Sequence, residues 1–255
     1  MAGDQFRDKV AIVTGASSGI GKAASMLMAQ EGARLVLASR REEELAKVAS
    51  TIESTGGEVV YLAGDVGDES YVREVVELAV KSFGKIDIAI NNAGALGKLC
   101  GLGEMELEDW EHTINTNLTS GFLCAKYQLP HLLETQGNFI FTSSFVGYTA
   151  GLPGMSAYGA SKAGLIGLVK CLAAEIGDSG VRVNALLPGG TDTPMASATA
   201  SSDEQLDQIK GMHALKRIAQ PEEIAKAICF LASESASFIT GSAMLADGGV
   251  SIYKA

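Results

Sequence analysis

Short runs of apolar and often β-branched residues recur along the chain and predict strands that are buried on both faces. They lie at residues 9–14, 34–38, 58–63, 86–90, 138–142, 181–187 and 243–245. Longer stretches with helical spacing of apolar positions stand between them, and several of these end at a glycine. The predicted helices cover residues 19–30, 42–54, 69–83, 108–133, 157–176, 203–211 and 221–232.

This alternation predicts an α/β protein with a parallel sheet covered by helices on both faces. Right-handed crossovers then give a doubly wound, Rossmann-like sheet of about seven strands. Neither a linker nor a repeat divides the sequence, so residues 1–255 are predicted to form one domain. Ligands of this architecture bind at the carboxyl ends of the strands, where we therefore expect the functional residues.

Composition and charge exclude several classes of protein. With 20 basic and 30 acidic residues, the net charge of -10 argues against a nucleic-acid partner. Residues 135–161 carry no charge, but their serines, threonines, glycines and proline argue against a membrane span. The 4 cysteines and 3 histidines are scattered, which predicts free thiols in a reducing cytoplasm and no metal site.

A glycine-rich turn follows the first predicted strand. Residues 14–21 read TGASSGIG and lead into the first predicted helix. Glycines let the backbone approach a ligand, and a helix N-terminus offers free N–H groups and a positive dipole end. The turn is a predicted pyrophosphate cradle, although its spacing differs from the G-x-G-x-x-G fingerprint. The expected ligand contacts are Gly15, Ser17, Ser18, Gly19, Ile20 and Gly21.

The end of the second predicted strand bears on the choice of dinucleotide. An acidic residue about twenty positions after the turn commonly binds the ribose of NAD, but here the chain reads Ser39, Arg40 and Arg41. Two guanidiniums suit a 2′-phosphate, so NADP(H) is preferred and NAD(H) is the alternative. The two arginines are alternatively explained by the start of the next helix or by pairing with residues 42–44.

Tyr158 and Lys162 stand four residues apart on a predicted helix, so their side chains share one face. An ammonium beside a phenol favours the phenolate. We therefore expect Lys162 to lower the pKa of Tyr158, which would then act as a general acid/base near neutrality. Ser143 and Ser144 follow the fifth predicted strand, where a hydroxyl can stabilise a developing oxyanion.

In this order and spacing, the motifs resemble the short-chain dehydrogenase/reductase family over essentially the whole chain. The motifs are TGASSGIG, Asp65-Val66, NNAG at 91–94, Asn117, Ser144, Tyr158 to Lys162 (YGASK), Pro188-Gly189 with Thr193, and DGG at 247–249. The resemblance implies an oxidoreductase that interconverts a ketone and a secondary alcohol by hydride transfer to or from a nicotinamide cofactor.

The resemblance also implies roles for single residues. Tyr158 would exchange a proton with the substrate oxygen, and Ser144 would orient that oxygen. Lys162 would hold the nicotinamide ribose, and Asn117 would anchor a water in a proton relay. The implied cofactor contacts also include Asp65, Val66, Asn91, Ala93, Gly94, Tyr158, Pro188, Gly189, Thr191 and Thr193.

The substrate half of the site is expected to begin at Ser144. This serine, rather than Ser143, is assigned to orient the substrate oxygen because Gly147 follows it by three residues, as in the family's SxxG. A substrate loop is expected near residues 190–215. The expected pocket lining is Leu96, Phe145, Leu152, Met155, Met195 and Met212. Because residues 135–161 contain no Arg or Lys, we expect a neutral, fairly apolar small-molecule ketone or alcohol as substrate.

Two other functions stay open. A 3-oxoacyl-(acyl-carrier-protein) reductase would resemble this chain, but residues 128–137 lack the bases that an acidic partner would need. A non-catalytic NADP(H)-sensing regulator is less favoured because both Tyr158 and Lys162 are present. The helix at 157–176 is small or apolar on much of its surface, and with the resemblance this predicts a symmetric homotetramer or homodimer.

Overall fold

The computed structural model describes residues 4–197 and 202–253. Within these residues, seven parallel strands form one sheet in the order β3-β2-β1-β4-β5-β6-β7. They are β1 (Val10–Thr14), β2 (Arg34–Ser39), β3 (Val59–Ala63), β4 (Ile88–Asn91), β5 (Asn138–Thr142), β6 (Arg182–Pro188) and β7 (Ala243–Ala246). The doubly wound parallel sheet is thus confirmed.

Helices cover both faces of the sheet. They are α1 (Gly19–Gln30), α2 (Glu42–Ser54), α3 (Glu69–Phe83), α4 (Leu107–Ile114), α5 (Ser120–Thr135), α6 (Ser156–Ile176), α7 (Pro194–Ser197), α8 (Asp203–Gly211) and α9 (Pro221–Ala232). Apolar side chains of α1, α2 and α9 form the core on one face, and those of α3, α5 and α6 form it on the other. The central strands β1, β4 and β5 are buried along their whole length, whereas the edge strands β3 and β7 are only partly buried.

The order of the strands positions the site. The chain winds outward from β1 to β3, returns to β4 beside β1, and continues to the opposite edge. The loops after β1 and β4 therefore diverge and leave a crevice at the carboxyl ends of the strands. Residues 198–201 of the predicted substrate loop lie outside the described residues.

The prediction of one continuous helix at 108–133 is wrong, because the structure has two helices, α4 and α5, on either side of an irregular turn. Asn115–Thr119 form a π-helical turn between α4 and α5, in which the Ser120 N–H bonds to the carbonyl of Asn115 five residues back. Such a turn adds a residue to the helix and turns the side chains that follow, and it is common at functional sites. Here it places Asn117 against the loop after β4. The short helix α7 was not predicted.

Candidate active site

A cavity of about 770 Å³ runs along the carboxyl ends of the strands, and most of the predicted site residues line it. Those from the loops after β1, β2 and β3 are Gly15, Ser17, Ser18, Gly19, Ile20, Ser39, Arg40, Arg41, Asp65 and Val66. Those that follow β4, β5 and β6 or lie on α6 are Ala93, Gly94, Leu96, Ser144, Phe145, Leu152, Met155, Tyr158, Lys162, Pro188, Gly189, Thr191, Thr193 and Met195. The strand order therefore joins a polar half and a largely apolar half in one cavity.

The glycine-rich turn has the features of an anion cradle. Gly15 adopts a left-handed conformation with φ of 69°, which glycine tolerates without strain. Helix α1 starts at Gly19 with no acidic residue in its first turn and no side-chain cap from Ser18. The N–H groups and the positive end of the helix dipole are thus available to a negatively charged ligand.

Gly21 does not line the cavity but supports the turn from below. A Cβ atom at this position would lie 2.4 Å from the carbonyl oxygen of Gly15. A larger residue would therefore displace the turn. Gly21 thus has a packing role in the structure, and its expected contact with a ligand stays a prediction.

A guanidinium and three serine hydroxyls meet beside the cradle. The Ser39 hydroxyl donates to Ser17 Oγ at 2.7 Å, and Arg41 Nη2 donates to the same oxygen at 2.9 Å. Arg41 also donates to the Ser18 hydroxyl. This arginine is therefore directed towards the turn that the sequence identifies as the phosphate-binding element.

Arg40 is directed elsewhere. Its Nη1 lies 4.0 Å from a carboxylate oxygen of Asp65, which follows β3. The sequence has no acid at the end of β2, but in the fold the neighbouring strand β3 brings Asp65 there, which the sequence did not reveal. Of the two predicted arginines, Arg41 is the one that contacts the glycine-rich turn.

Ser144 and Tyr158 form the centre of the cavity wall. The Ser144 hydroxyl accepts a hydrogen bond from the N–H of Val146 at 3.1 Å and is hydrogen-bonded to Tyr158. Ser143 instead donates to the carbonyl of Lys162 at 2.8 Å. The structure thus brings Ser144, rather than Ser143, to the tyrosine.

The expectation that Lys162 lowers the pKa of Tyr158 is wrong for this structure. Burial raises the pKa of Tyr158 above its ordinary value of 10, and the hydrogen bond with Ser144 offsets part of that rise. The Lys162 ammonium lies 5.8 Å from the centre of the tyrosine ring and donates to the carbonyl of Thr142 at 2.8 Å. Burial lowers the pKa of Lys162 itself to about 8.

Asn117 and Asn91 lie behind the cavity wall rather than in it. The amide of Asn117 accepts from the Ala95 N–H at 2.7 Å and donates to the Ala95 carbonyl at 2.8 Å, so it fixes the loop after β4. Asn91 and Gln128 exchange two side-chain hydrogen bonds of 2.9 and 3.1 Å. The side chains of both asparagines are therefore used within the protein, which the sequence did not reveal.

Two further contributors were missed. The hydroxyl of Thr14 accepts hydrogen bonds of 3.0 Å from the N–H groups of both Asn92 and Ala93, which ties the loop after β1 to the loop after β4. The sequence could have indicated this contact, because the two loops follow β1 and β4, which are neighbours where the strand order reverses. His213, which stood out only as one of the scattered histidines, is buried in the cavity wall.

The uncharged stretch at 135–161 forms much of the apolar half. It runs from the end of α5 through β5 to the start of α6, and it supplies Phe145, Leu152 and Met155 to the cavity. Leu99, Pro153, Ile209 and Met212 add apolar surface. Among the described residues of this half, Lys162 is the one Lys, Arg, Asp or Glu that lines the cavity.

The residues present fit a nicotinamide dinucleotide. The cavity volume falls within the range of roughly 300–1,000 Å³ that is usual for ligand sites, and an uncapped helix N-terminus lies at its polar half. Within residues 4–197 and 202–253, no group of three or more His, Cys, Asp or Glu side chains is placed to hold a metal ion. No helix in the same part of the chain is long and apolar enough to cross a membrane.

Known proteins resemble the chain over nearly its full length. The family model described as enoyl-(acyl carrier protein) reductase matches residues 15–251. Cyclohexanol dehydrogenase of Acinetobacter sp. (strain SE19) is 36% identical over 245 residues, which cover 96% of each chain. The 3-oxoacyl-(acyl-carrier-protein) reductase of Thermotoga maritima is 39% identical over 251 residues, covering 97% of this chain and 100% of the relative.

A solved structure shares the fold. Carveol dehydrogenase from Mycobacterium avium, in complex with NAD, superimposes with a TM-score of 0.93 at 27% identity, covering 98% of this chain and 100% of that one. The family model and the relatives agree with the motifs that line the cavity. The chain belongs to the short-chain dehydrogenase/reductase family, whose members are oxidoreductases that use NAD(P).

Proposed function

We propose that this chain is a one-domain NAD(P)(H)-dependent oxidoreductase that interconverts a neutral, apolar ketone and its secondary alcohol. One observation carries the proposal: the Ser144–Tyr158 pair lies where the polar, phosphate-binding half of the cavity meets an uncharged apolar half. A nicotinamide on one side, as hydride donor to a carbonyl or hydride acceptor from an alcohol on the other, would meet its substrate at these two hydroxyl groups.

The residues have separable tasks. When bound, the nicotinamide supplies or accepts the hydride. Ser144 orients the substrate oxygen and stabilises its developing negative charge, and Tyr158 exchanges a proton with that oxygen. Lys162 holds the nicotinamide ribose, and the turn at 14–21 with Asp65 holds the adenosine diphosphate part. Asn117 keeps the loop after β4 in place. It would also anchor a water molecule in a proton relay through Lys162.

A small ring is the substrate skeleton that we favour. Cyclohexanol and carveol, after which two of the similar proteins are named, are both neutral ring alcohols. Apolar rings suit a wall of leucine, phenylalanine and adaptable methionine side chains. Among the residues of the apolar half that the structure describes, Lys162 is the one arginine or lysine that could pair with a carboxylate.

A matched pair of ketones tests the proposal. We expect kcat/KM for cyclohexanone to exceed that for 4-oxocyclohexanecarboxylate by about tenfold or more, because an unpaired carboxylate in an apolar wall costs several kcal/mol. NAD(P)H consumption is the measurement. Equal or better turnover of the carboxylate would contradict the assignment of a neutral substrate. Cofactor binding without turnover of any carbonyl compound would favour the regulator instead.

Reduction of a 3-oxoacyl thioester on acyl carrier protein is the second candidate, and the identity of 39% to such a reductase favours it. The charges beside the cavity oppose it. The loop after β4 reaches the cavity through Leu99, carries exposed Glu104 and Glu106, and has its base Lys98 paired with Asp109 at 2.8 Å. An acidic carrier protein would meet acidic residues there. A 3-oxoacyl thioester in the same panel separates the two functions.

We propose NADP(H) as the preferred cofactor, with Arg41 as the main partner of the 2′-phosphate. Arg41→Ala is expected to lower kcat/KM for NADPH about tenfold or more and to change that for NADH little, because a charge-assisted hydrogen bond contributes roughly 1.5–3 kcal/mol. Arg40→Ala, which removes a guanidinium paired with Asp65, is the matched control and should have the smaller effect. An equal loss with both cofactors would count against the assignment, and the NAD complex of carveol dehydrogenase makes NAD(H) the alternative.

We further propose a cytoplasmic homotetramer, with a homodimer as the alternative. Phe122 on α5 and Phe230 on α9 are partly exposed, and Phe238 is fully exposed, which leaves apolar surface on two sides of the sheet. All four cysteines are free thiols, as in a reducing compartment. Light scattering of the purified protein should give four times the chain mass of 26.4 kDa, and a monomer mass would overturn the assembly.

A further inference from the structure

His213 is buried between two segments that face different ligands. It follows α8, is 2% exposed and lines the cavity. Its Nε2 accepts the N–H of Gly190 at 3.0 Å, and its Nδ1 donates to the carbonyl of Ile209 at 2.8 Å. An N–H can only donate and a carbonyl can only accept, so the imidazole is neutral with its proton on Nδ1.

The ring and Gly190 fit closely. A Cβ atom at Gly190 would lie 2.9 Å from His213 Cε1, so the absence of a side chain there makes room for the imidazole. The same loop is held by backbone bonds of 2.8 Å, one from the Ala219 N–H to the Gly190 carbonyl and one from the Asp192 N–H to the Ala219 carbonyl. The segment at 213–219 therefore holds the loop after β6 from one side.

The two partners of the ring belong to different halves of the cavity. Ile209 and Met212 add to the apolar half, whereas Gly189 and Thr191 flank Gly190 in the part assigned to the nicotinamide end. We infer that His213 is a positioning residue, which fixes α8 relative to the loop after β6 so that substrate and nicotinamide are held in one geometry. The inference rests on the proposed function. The bond to Gly190 joins the loop after β6 to the segment that continues α8, and the bond to Ile209, four residues back, orients the ring for it.

Two substitutions separate the two hydrogen bonds. In His213→Asn the amide nitrogen can replace Nδ1, but the acceptor for Gly190 is lost. In His213→Gln the amide oxygen can replace Nε2, but the donor to Ile209 is lost. Each variant keeps one of the two bonds, so we expect similar losses of Tm. A role in stability alone would then give the two variants the same kinetics.

We expect the kinetics to differ. His213→Asn should raise KM for the ketone and lower kcat/KM about tenfold, the size expected for leaving one buried N–H without its partner. His213→Gln should stay within about threefold of the wild type, as a matched variant that keeps this bond. Gly190→Ala, whose methyl group pushes against both the ring and Ile218, should also raise KM for the ketone, and it replaces the asparagine variant if that variant fails to fold. Equal kcat/KM for the asparagine and glutamine variants would overturn the inference.

Hydrogen exchange gives a readout that is independent of turnover. Peptides covering residues 188–192 should exchange faster in His213→Asn than in the wild type, and His213→Gln should retain the protection of the Gly190 amide. Unchanged exchange in the asparagine variant would overturn the bridge even if activity fell. If exchange differs as expected but no carbonyl compound is reduced by the wild type, the proposed function fails and the bridge stands.

Discussion

Replacing Tyr158 by phenylalanine is expected to lower kcat about a thousandfold, within the range of roughly 10²–10⁴ that positioned acid/base groups contribute. The substitution removes one hydroxyl from the cavity wall and leaves the ring that packs there. Since the proposed cofactor contacts lie mostly in the turn at 14–21 and the loops after β2 and β6, the dissociation constant for NADPH should stay within about threefold. Steady-state kinetics with cyclohexanone and a fluorescence titration of NADPH measure the two quantities.

Tyr127→Phe is the matched control for this prediction. Its hydroxyl donates to Glu69 at 2.6 Å on the surface, and Tyr127 does not line the cavity. The same loss of an oxygen atom should leave kcat unchanged there. A Tyr158→Phe variant that retains a near wild-type rate would remove Tyr158 from the proposed mechanism, whatever the control shows.

Burial raises the pKa of the Tyr158 phenol, so this phenol is protonated at neutral pH in the free protein. In the proposed mechanism the protonated form serves reduction of a ketone, and oxidation of an alcohol starts from the phenolate. The spacing of Tyr158 and Lys162 predicted the opposite direction of the pKa shift, because it shows the attraction between two groups on one helix face and not the burial of both.

Motifs at strand ends were predictable from the sequence for a physical reason. The seven apolar runs identify the seven strands, although the edge strands β3 and β7 are only partly buried. Parallel strands bring their carboxyl ends to one edge. The turn at 14–21, Ser144 and Tyr158 were therefore found correctly as neighbours of one cavity. The choice of Ser144 over Ser143 also agrees with the hydrogen bond to Tyr158.

Side-chain partners were not predictable in the same way. Arg40 and Arg41 are adjacent in the sequence, yet one lies near Asp65 and the other contacts Ser17. The side chain of Asn91 is hydrogen-bonded to Gln128, which is far away in the sequence. Such pairings depend on the register between strands and helices, and a list of motifs carries no information on that register.

Lys162→Met is expected to remove most activity and, at the same time, to make the protein without cofactor more stable. Lys162 is 4% exposed, and the one hydrogen bond of its ammonium to a described residue in this structure is the 2.8 Å bond to the Thr142 carbonyl. Removing it takes away the proposed ribose contact, so kcat/KM should fall about a hundredfold or more. Lys170→Met, an exposed position on the same helix, is the matched control and should change neither activity nor stability.

The stability gain follows from the lowered pKa of Lys162. In the unfolded chain this lysine binds a proton up to its ordinary pKa of 10.5, and in the folded protein only up to about 8. Below pH 8 the folded state must keep a buried charge, which costs about 3 kcal/mol, since each pKa unit corresponds to roughly 1.4 kcal/mol. Between pH 8 and 10.5 the unfolded state binds more protons, so wild-type stability rises with pH and the cost disappears.

The substitution also removes the hydrogen bond to Thr142, which contributes about 1 kcal/mol. The free energy of unfolding of Lys162→Met should therefore be about 2 kcal/mol higher than that of the wild type at pH 7. At pH 10 most of that difference should be gone in urea titrations without cofactor. An advantage that is equal at both pH values would come from packing, and a less stable variant at pH 7 would mean that the buried ammonium is compensated in the folded protein.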